Sequence, residues 1–284
     1  MSKLEALPLY SLLGFFLTFS ALVGPSASGI DSFVYVGCSQ FRYNPGTPYE
    51  TNVNSVLTSL VNSASSASFN NFKISVPGST NDDIIYGLYQ CRGDLGNSDC
   101  HDCVAHAVSQ LGTICVDSTG GALQLEGCFI KYDNLSFLGT EDKTVTLKKC
   151  GPPIGYNSDT STRRDAVLDY LGAAGQYFRV GGSGKAQGMA QCVQDMDLSE
   201  CQDCLSEAIG QLKSSCGSAA WGDMYLGKCY ARYSESGEYS NSESGDHDEF
   251  EKTLAILIGL IAGIAVLVVF LSILRKLFEK KGGK

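Results

Sequence analysis

The twelve cysteines of this chain fall at Cys38, Cys91, Cys100, Cys103, Cys115 and Cys128, then at Cys150, Cys192, Cys201, Cys204, Cys216 and Cys229. Counted as two sixes, the last five of each set share one spacing, C-x8-C-x2-C-x11-C-x12-C, from Cys91 to Cys128 and again from Cys192 to Cys229. The residues between them repeat as well. Ala105–Gln110 (AHAVSQ) stands beside Ser206–Gln211 (SEAIGQ), and Gly127-Cys128-Phe129 beside Gly227-Lys228-Cys229-Tyr230. One domain has been duplicated, and any fold for the chain must be built twice.

What the cysteines do depends on the compartment, and the chain ends speak to that. Leu7 to Val23 is an apolar run preceded by Lys3 and closed by Gly24, Pro25 and the small residues Ser26, Ala27 and Ser28. It reads as a secretory signal peptide, residues 1–28. Leu254 to Leu274 is 21 residues without a charge, enough to span roughly 30 Å of hydrocarbon as a helix. Asp246, Asp248, Glu249 and Glu251 precede it, while Arg275, Lys276, Lys280, Lys281 and Lys284 follow. The positive-inside bias then places the C-terminus in the cytoplasm, the orientation a signal peptide also gives. The expected organisation is a first cysteine-rich domain (29–140), a second (141–233), a Ser/Glu/Gly-rich stalk (234–253), a transmembrane helix (254–274) and a cytoplasmic tail (275–284). Cys150-Gly151-Pro152-Pro153 reads as the junction between copies.

A C-x2-C pair such as Cys100/Cys103 or Cys201/Cys204 can be half of a zinc site or a thioredoxin-like redox motif. Zinc suits reducing compartments, and a signal peptide leads to an oxidising one. The doubly wound pattern that accompanies the redox motif is absent. Six cysteines per copy therefore read as three structural disulfides, whose connectivity spacing alone does not choose. Losing one such bridge costs a small secreted domain about 2–5 kcal/mol, comparable to its whole stability.

Within each copy, Val53, Val56, Leu57, Leu60, Val61 and Ala64 recur at helical spacing, predicting a helix over Tyr49–Ser68, with a shorter equivalent over Ala166–Ala174. Ile84–Cys91 and Gly188–Gln194 read as strands. Second helices are expected at Ser98–Leu111 and Ser199–Leu212, each with its serine as N-cap. These would put each C-x2-C pair on one helix face. Ala122–Tyr132 and Trp221–Tyr233 each read as one half-buried strand. The fold class is α+β, with two helices on an antiparallel sheet in each copy.

The repeated spacing, signal peptide, single membrane helix and short tail resemble the plant plasmodesmata-located proteins, which are built from two ginkbilobin-type cysteine-rich domains. The resemblance covers the whole chain. It implies the pairing Cys38–Cys115, Cys91–Cys100, Cys103–Cys128, Cys150–Cys216, Cys192–Cys201 and Cys204–Cys229. It also implies a plasma-membrane protein at plasmodesmata that regulates cell-to-cell traffic through callose deposition and serves as a docking partner for viral movement proteins. The same domain type occurs as a mannose-binding lectin and outside receptor-like kinases. The lectin's Asn, Arg and Glu fall here on Ser39, Ala122 and Asp133, and on Gly151, Asp223 and Ser234. Neither copy keeps that set, so mannose binding is not expected.

Other function classes are narrowed by the residues. Residues 29–253 carry 15 Lys or Arg against 28 Asp or Glu, a balance that argues against nucleic acid. Ten residues after Leu274 leave no room for a kinase domain. The histidines, His101, His106 and His247, accompany no nucleophile motif. The expectation is a non-enzyme without cofactor or metal, acting through other membrane or cell-wall proteins. The alternatives are a plasma-membrane co-receptor or glycan-binding module, and a thiol oxidoreductase that would need free thiols. Gly259 and Gly263 form a G-x-x-x-G that permits close approach of membrane helices and homo- or hetero-oligomers. Asn134-Leu135-Ser136 is the one N-x-S/T sequon, an expected glycosylation site.

Overall fold

The structure is a computed structural model that describes residues 29–235, apart from 76, 78, 79, 81, 82, 155–157 and 174. The expected signal peptide, transmembrane helix with Gly259 and Gly263, tail and all but the start of the stalk lie outside the described residues. Among those residues, no helix is long and apolar enough to cross a membrane.

Each copy is a five-stranded antiparallel sheet with two α-helices on one face. The first comprises β1 (Phe33–Cys38), α1 (Pro48–Ala64), β2 (Phe69–Ile74), β3 (Ile85–Cys91), α2 (Asn97–Ile114), β4 (Gly120–Leu125) and β5 (Cys128–Asp133). The second repeats it with β6 (Val145–Cys150), α3 (Ser158–Leu171), β7 (Phe178–Ser183), β8 (Ala186–Cys192), α4 (Leu198–Cys216), β9 (Trp221–Leu226) and β10 (Cys229–Ser234). Strand orders are β1-β4-β5-β3-β2 and β6-β9-β10-β8-β7. A short 3-10 turn at Gly29–Asp31 precedes β1.

The helices form where apolar residues recur at three and four. Val53, Val56, Leu60 and Ala64 of α1 and Val104, Ala107 and Leu111 of α2 are buried against Ile85, Leu123 and Ile130. The second copy packs Val167, Leu168 and Leu171 of α3 and Leu205, Ala208 and Leu212 of α4 against Ala190, Met224 and Ala231. α1 lies so close to β3 that a Cβ at Gly87 would sit 2.3 Å from Val56 Cγ1. Gly188, its counterpart on β8, would place one 2.7 Å from both Leu171 Cδ1 and Val167 Cγ1. Only glycine allows that approach.

Several boundaries differ from the sequence reading. The serines do not cap the second helices: the caps are Gly96, which makes no side-chain cap bond, and Asp197. Asp197 accepts from the backbone N–H groups of Ser199 and Glu200, and the Glu200 carboxylate returns to the Asp197 N–H. This capping box outcompetes Ser199 because its carboxylate satisfies two orphan donors one residue pair earlier. Ala122–Tyr132 and Trp221–Tyr233 are hairpins, β4–β5 and β9–β10, folded at Glu126-Gly127 and Gly227-Lys228. α1 stops at Ala64, where a run of serines and Ala67 offers no further core face. α3 begins eight residues before the expected start; its first two turns, Ser158–Asp165, hold no apolar residue that could give a periodic signal. β1, β2, β6 and β7 are the edge strands of the two sheets, and the sequence reading did not contain them. β6 ends at Cys150, so the Cys150-Gly151-Pro152-Pro153 segment lies inside the second copy and not at the junction. β10 runs to buried Ser234, one residue past the expected boundary.

Candidate functional site

All twelve cysteines are bonded. Cys38–Cys115, Cys91–Cys100 and Cys103–Cys128 close the first copy, and Cys150–Cys216, Cys192–Cys201 and Cys204–Cys229 the second. In the first copy every bridge starts on α2 or at its end, and each ends on a different strand: β3, β5 and β1. α4 does the same to β8, β10 and β6. The C-x2-C cysteines do share a helix face, yet they reach different strands. The arrangement makes one helix the hub that pins the sheet. No cluster of His, Cys, Asp or Glu suited to a metal occurs among the described residues.

The positions matching the lectin set do different work here. Ser39 bonds Thr119 across the sheet end, Oγ to Oγ1 at 2.9 Å, and Asp133 accepts from the Leu135 N–H at 2.9 Å. Ala122 between them supplies no donor. In the second copy a Cβ on Gly151 would fall 2.4 Å from Trp221 Nε1, so the indole covers the position. Asp223 is buried and held by Arg232, whose Nε lies 2.7 Å from Oδ1. Ser234 is buried in β10.

The helix-free faces of the two sheets meet each other, and here the sequence reading missed the main feature. Leu88 and Phe129 of the first copy and Val193 of the second form a buried cluster, with Tyr35, Phe137 and Leu138 packed around it. Tyr35 meets Tyr225 edge to face, with ring centres 5.7 Å apart. The equivalent glutamines before the second cysteine of each copy reach across. Gln191 Nε2 donates to the Cys91 carbonyl at 2.8 Å, and Gln90 Oε1 accepts from the Gln194 N–H at 3.0 Å.

Charges in the seam are paired and buried. Arg232, 5% exposed, binds both oxygens of Asp223 and the carboxylate of Glu126 from the other copy. Burial opposes its charge, but Tyr225, Asp223 and Glu126 together hold the proton more tightly than in water. Lys228, 1% exposed, is paired with Asp195 and donates to the Phe137 carbonyl at 3.1 Å. Burial lowers its proton affinity, with the Asp195 pairing opposing the shift. Asp195 also accepts from the Gly139 N–H at 3.1 Å, so this pair fastens the segment joining the copies. Burial pushes the Tyr35 hydroxyl up to about 12 and raises Tyr225 and Tyr230 as well. The three tyrosine hydroxyls therefore keep their protons at neutral pH. The space left in the seam is about 20 Å³, room for roughly one water and far from the roughly 300–1,000 Å³ of a ligand pocket. The seam joins the copies.

A sequence signal for it existed. The strand IYGLYQC of β3 is buried almost throughout, and strands covered on both faces read as continuous apolar runs instead of alternating ones. The partner of that second face could not be read, since it depends on how two complete domains dock.

The family model for salt stress response/antifungal proteins matches residues 37–135 and 149–236, one match to each copy. The fold and its bridges thus define a tandem protein of that cysteine-rich class. Plasmodesmata-located protein 6 of Arabidopsis thaliana is 57% identical, over 95% of this chain and 97% of the relative. Plasmodesmata-located protein 7 of the same plant is 54% identical, over 95% and 92%. The crystal structure of the tandem DUF26 ectodomain of the Arabidopsis thaliana cysteine-rich receptor-like protein PDLP5 is 48% identical with a TM-score of 0.68, covering 72% of this chain and 99% of that one. The corresponding PDLP8 ectodomain is 44% identical with a TM-score of 0.69, covering 73% and 100%. The chain belongs to the plasmodesmata-located protein family.

Proposed function

We propose that this chain is a non-catalytic, single-pass type I membrane protein at plasmodesmata. Its two cysteine-rich copies face outward as one body, and residues 275–284 face the cytoplasm. In this reading it regulates cell-to-cell traffic by promoting callose deposition, and it works through membrane or wall proteins that dock on the outer body. Viral movement proteins are proposed as further docking partners, and Gly259 and Gly263 as the face for lateral association. The observation that carries the reading is similarity to plasmodesmata-located proteins along 95% of the chain, including the parts outside the cysteine-rich copies. The seam is consistent with it, because the Arg232 and Lys228 pairs and the exchanged glutamines tie the two copies into one outer body.

The solved relatives are described as receptor-like, which favours a plasma-membrane co-receptor as the second reading. A fluorescent tag after Lys284, imaged in leaf epidermis against a callose stain, separates the two. Wall-spanning puncta coincident with callose are expected. A uniform plasma-membrane signal would overturn the plasmodesmal reading in favour of the co-receptor.

A further inference from the structure

We infer that Asn134 carries an N-linked oligosaccharide that stands over the edge of the seam, an inference resting on the reading that the outer body passes through the secretory pathway. β5 ends at Asp133, and its carboxylate takes the Leu135 N–H at 2.9 Å, turning the sequon away from the sheet. Leu135 is 71% exposed, and Ser136 is exposed beside it. No hydrogen bond among the described residues occupies the Asn134 side chain. Asn134 itself is half-buried, and its amide is available as the acceptor of a preassembled oligosaccharide without the loss of a hydrogen bond. The transfer joins the amide nitrogen to the sugar's anomeric carbon, with the lipid pyrophosphate carrier as leaving group and the displaced amide proton lost to solvent.

The flanking residues locate the sugar. Past Ser136 the chain is fastened, one residue on by Lys228 at the Phe137 carbonyl and three residues on by Asp195 at the Gly139 N–H. The sequon is thus a short arch between the last strand of the first copy and the latch to the second. At the equivalent point of the second copy the chain has Glu235, with no sequon, and its N–H is bonded to the Ala220 carbonyl at 2.8 Å. The modification marks one copy alone, and a partner of the outer body must approach from a side other than that edge.

The test uses the full chain, tagged after Lys284 and expressed in leaf, with native digestion by a peptide N-glycosidase active on plant glycans. One step of faster migration is expected without unfolding the protein. N134Q and S136A, which remove the acceptor and the hydroxyl separately, should each migrate like the digested chain. A chain with all its disulfides formed that shows no shift, or whose shift persists in both variants, would overturn the inference while leaving the secretory reading intact. Reduced thiols in place of the bridges would overturn that reading and the inference with it.

Discussion

At Arg232 one guanidinium meets carboxylates from both copies, Asp223 beside it in the sheet and Glu126 across the seam. Removing it leaves buried negative charge unpaired, so R232A is expected to cost about 3–5 kcal/mol in denaturant unfolding. The triple change R232M with D223L and E126Q, which removes the charge on all three residues, should cost less than R232A alone. The buried tyrosines give a pH dependence. Because burial raises the hydroxyls of Tyr35, Tyr225 and Tyr230 above their ordinary value of 10.0, their stabilising share is complete below that value. It is lost as the pH climbs through the folded values, about 12 for Tyr35. Tyrosinate absorbance should therefore rise in two steps, exposed rings first and the buried ones, these three among them, only with unfolding. At this scale the sequence disclosed the cysteines and their structural role, because paired thiols announce themselves by number and spacing. It did not disclose Arg232 or Lys228, since a basic residue in a strand looks solvent-exposed until its neighbours are known.

Helices were the most legible elements, because α1 and α2 carry their core residues at a clean helical period. Their starts were less so. Ser199 looks like a cap, yet Asp197 takes the role through its reciprocal pair with Glu200. D197A should then destabilise the protein by about 1 kcal/mol, whereas Gly96 in the first copy has no side-chain cap to lose. In sequence the hairpins β4–β5 and β9–β10 look like single strands because the two-residue turns Glu126-Gly127 and Gly227-Lys228 lack an Asn-Gly signal and interrupt apolar runs only briefly. Gly87 and Gly188 show why the helices could settle so close to the sheets. G87A should overpack Val56 and cost about 1–3 kcal/mol, measured as a fall in the denaturation midpoint at unchanged slope.

For the whole molecule the sequence gives a duplicated domain, and the structure turns the duplication into a joint. Two sheets with helices on one face each leave a second face to cover, and each copy covers the other's with Leu88, Phe129 and Val193, the exchanged glutamines and the Arg232 and Lys228 pairs. The central claim is that the two copies are one cooperative body. The chain has a single tryptophan, Trp221 in β9, so its fluorescence reports the second copy alone, while far-ultraviolet circular dichroism reports both. Denaturant unfolding of the outer body, residues 29–235, followed by the two probes should give superimposed transitions. If tryptophan and dichroism transitions separate, the copies unfold independently and the seam does not join them.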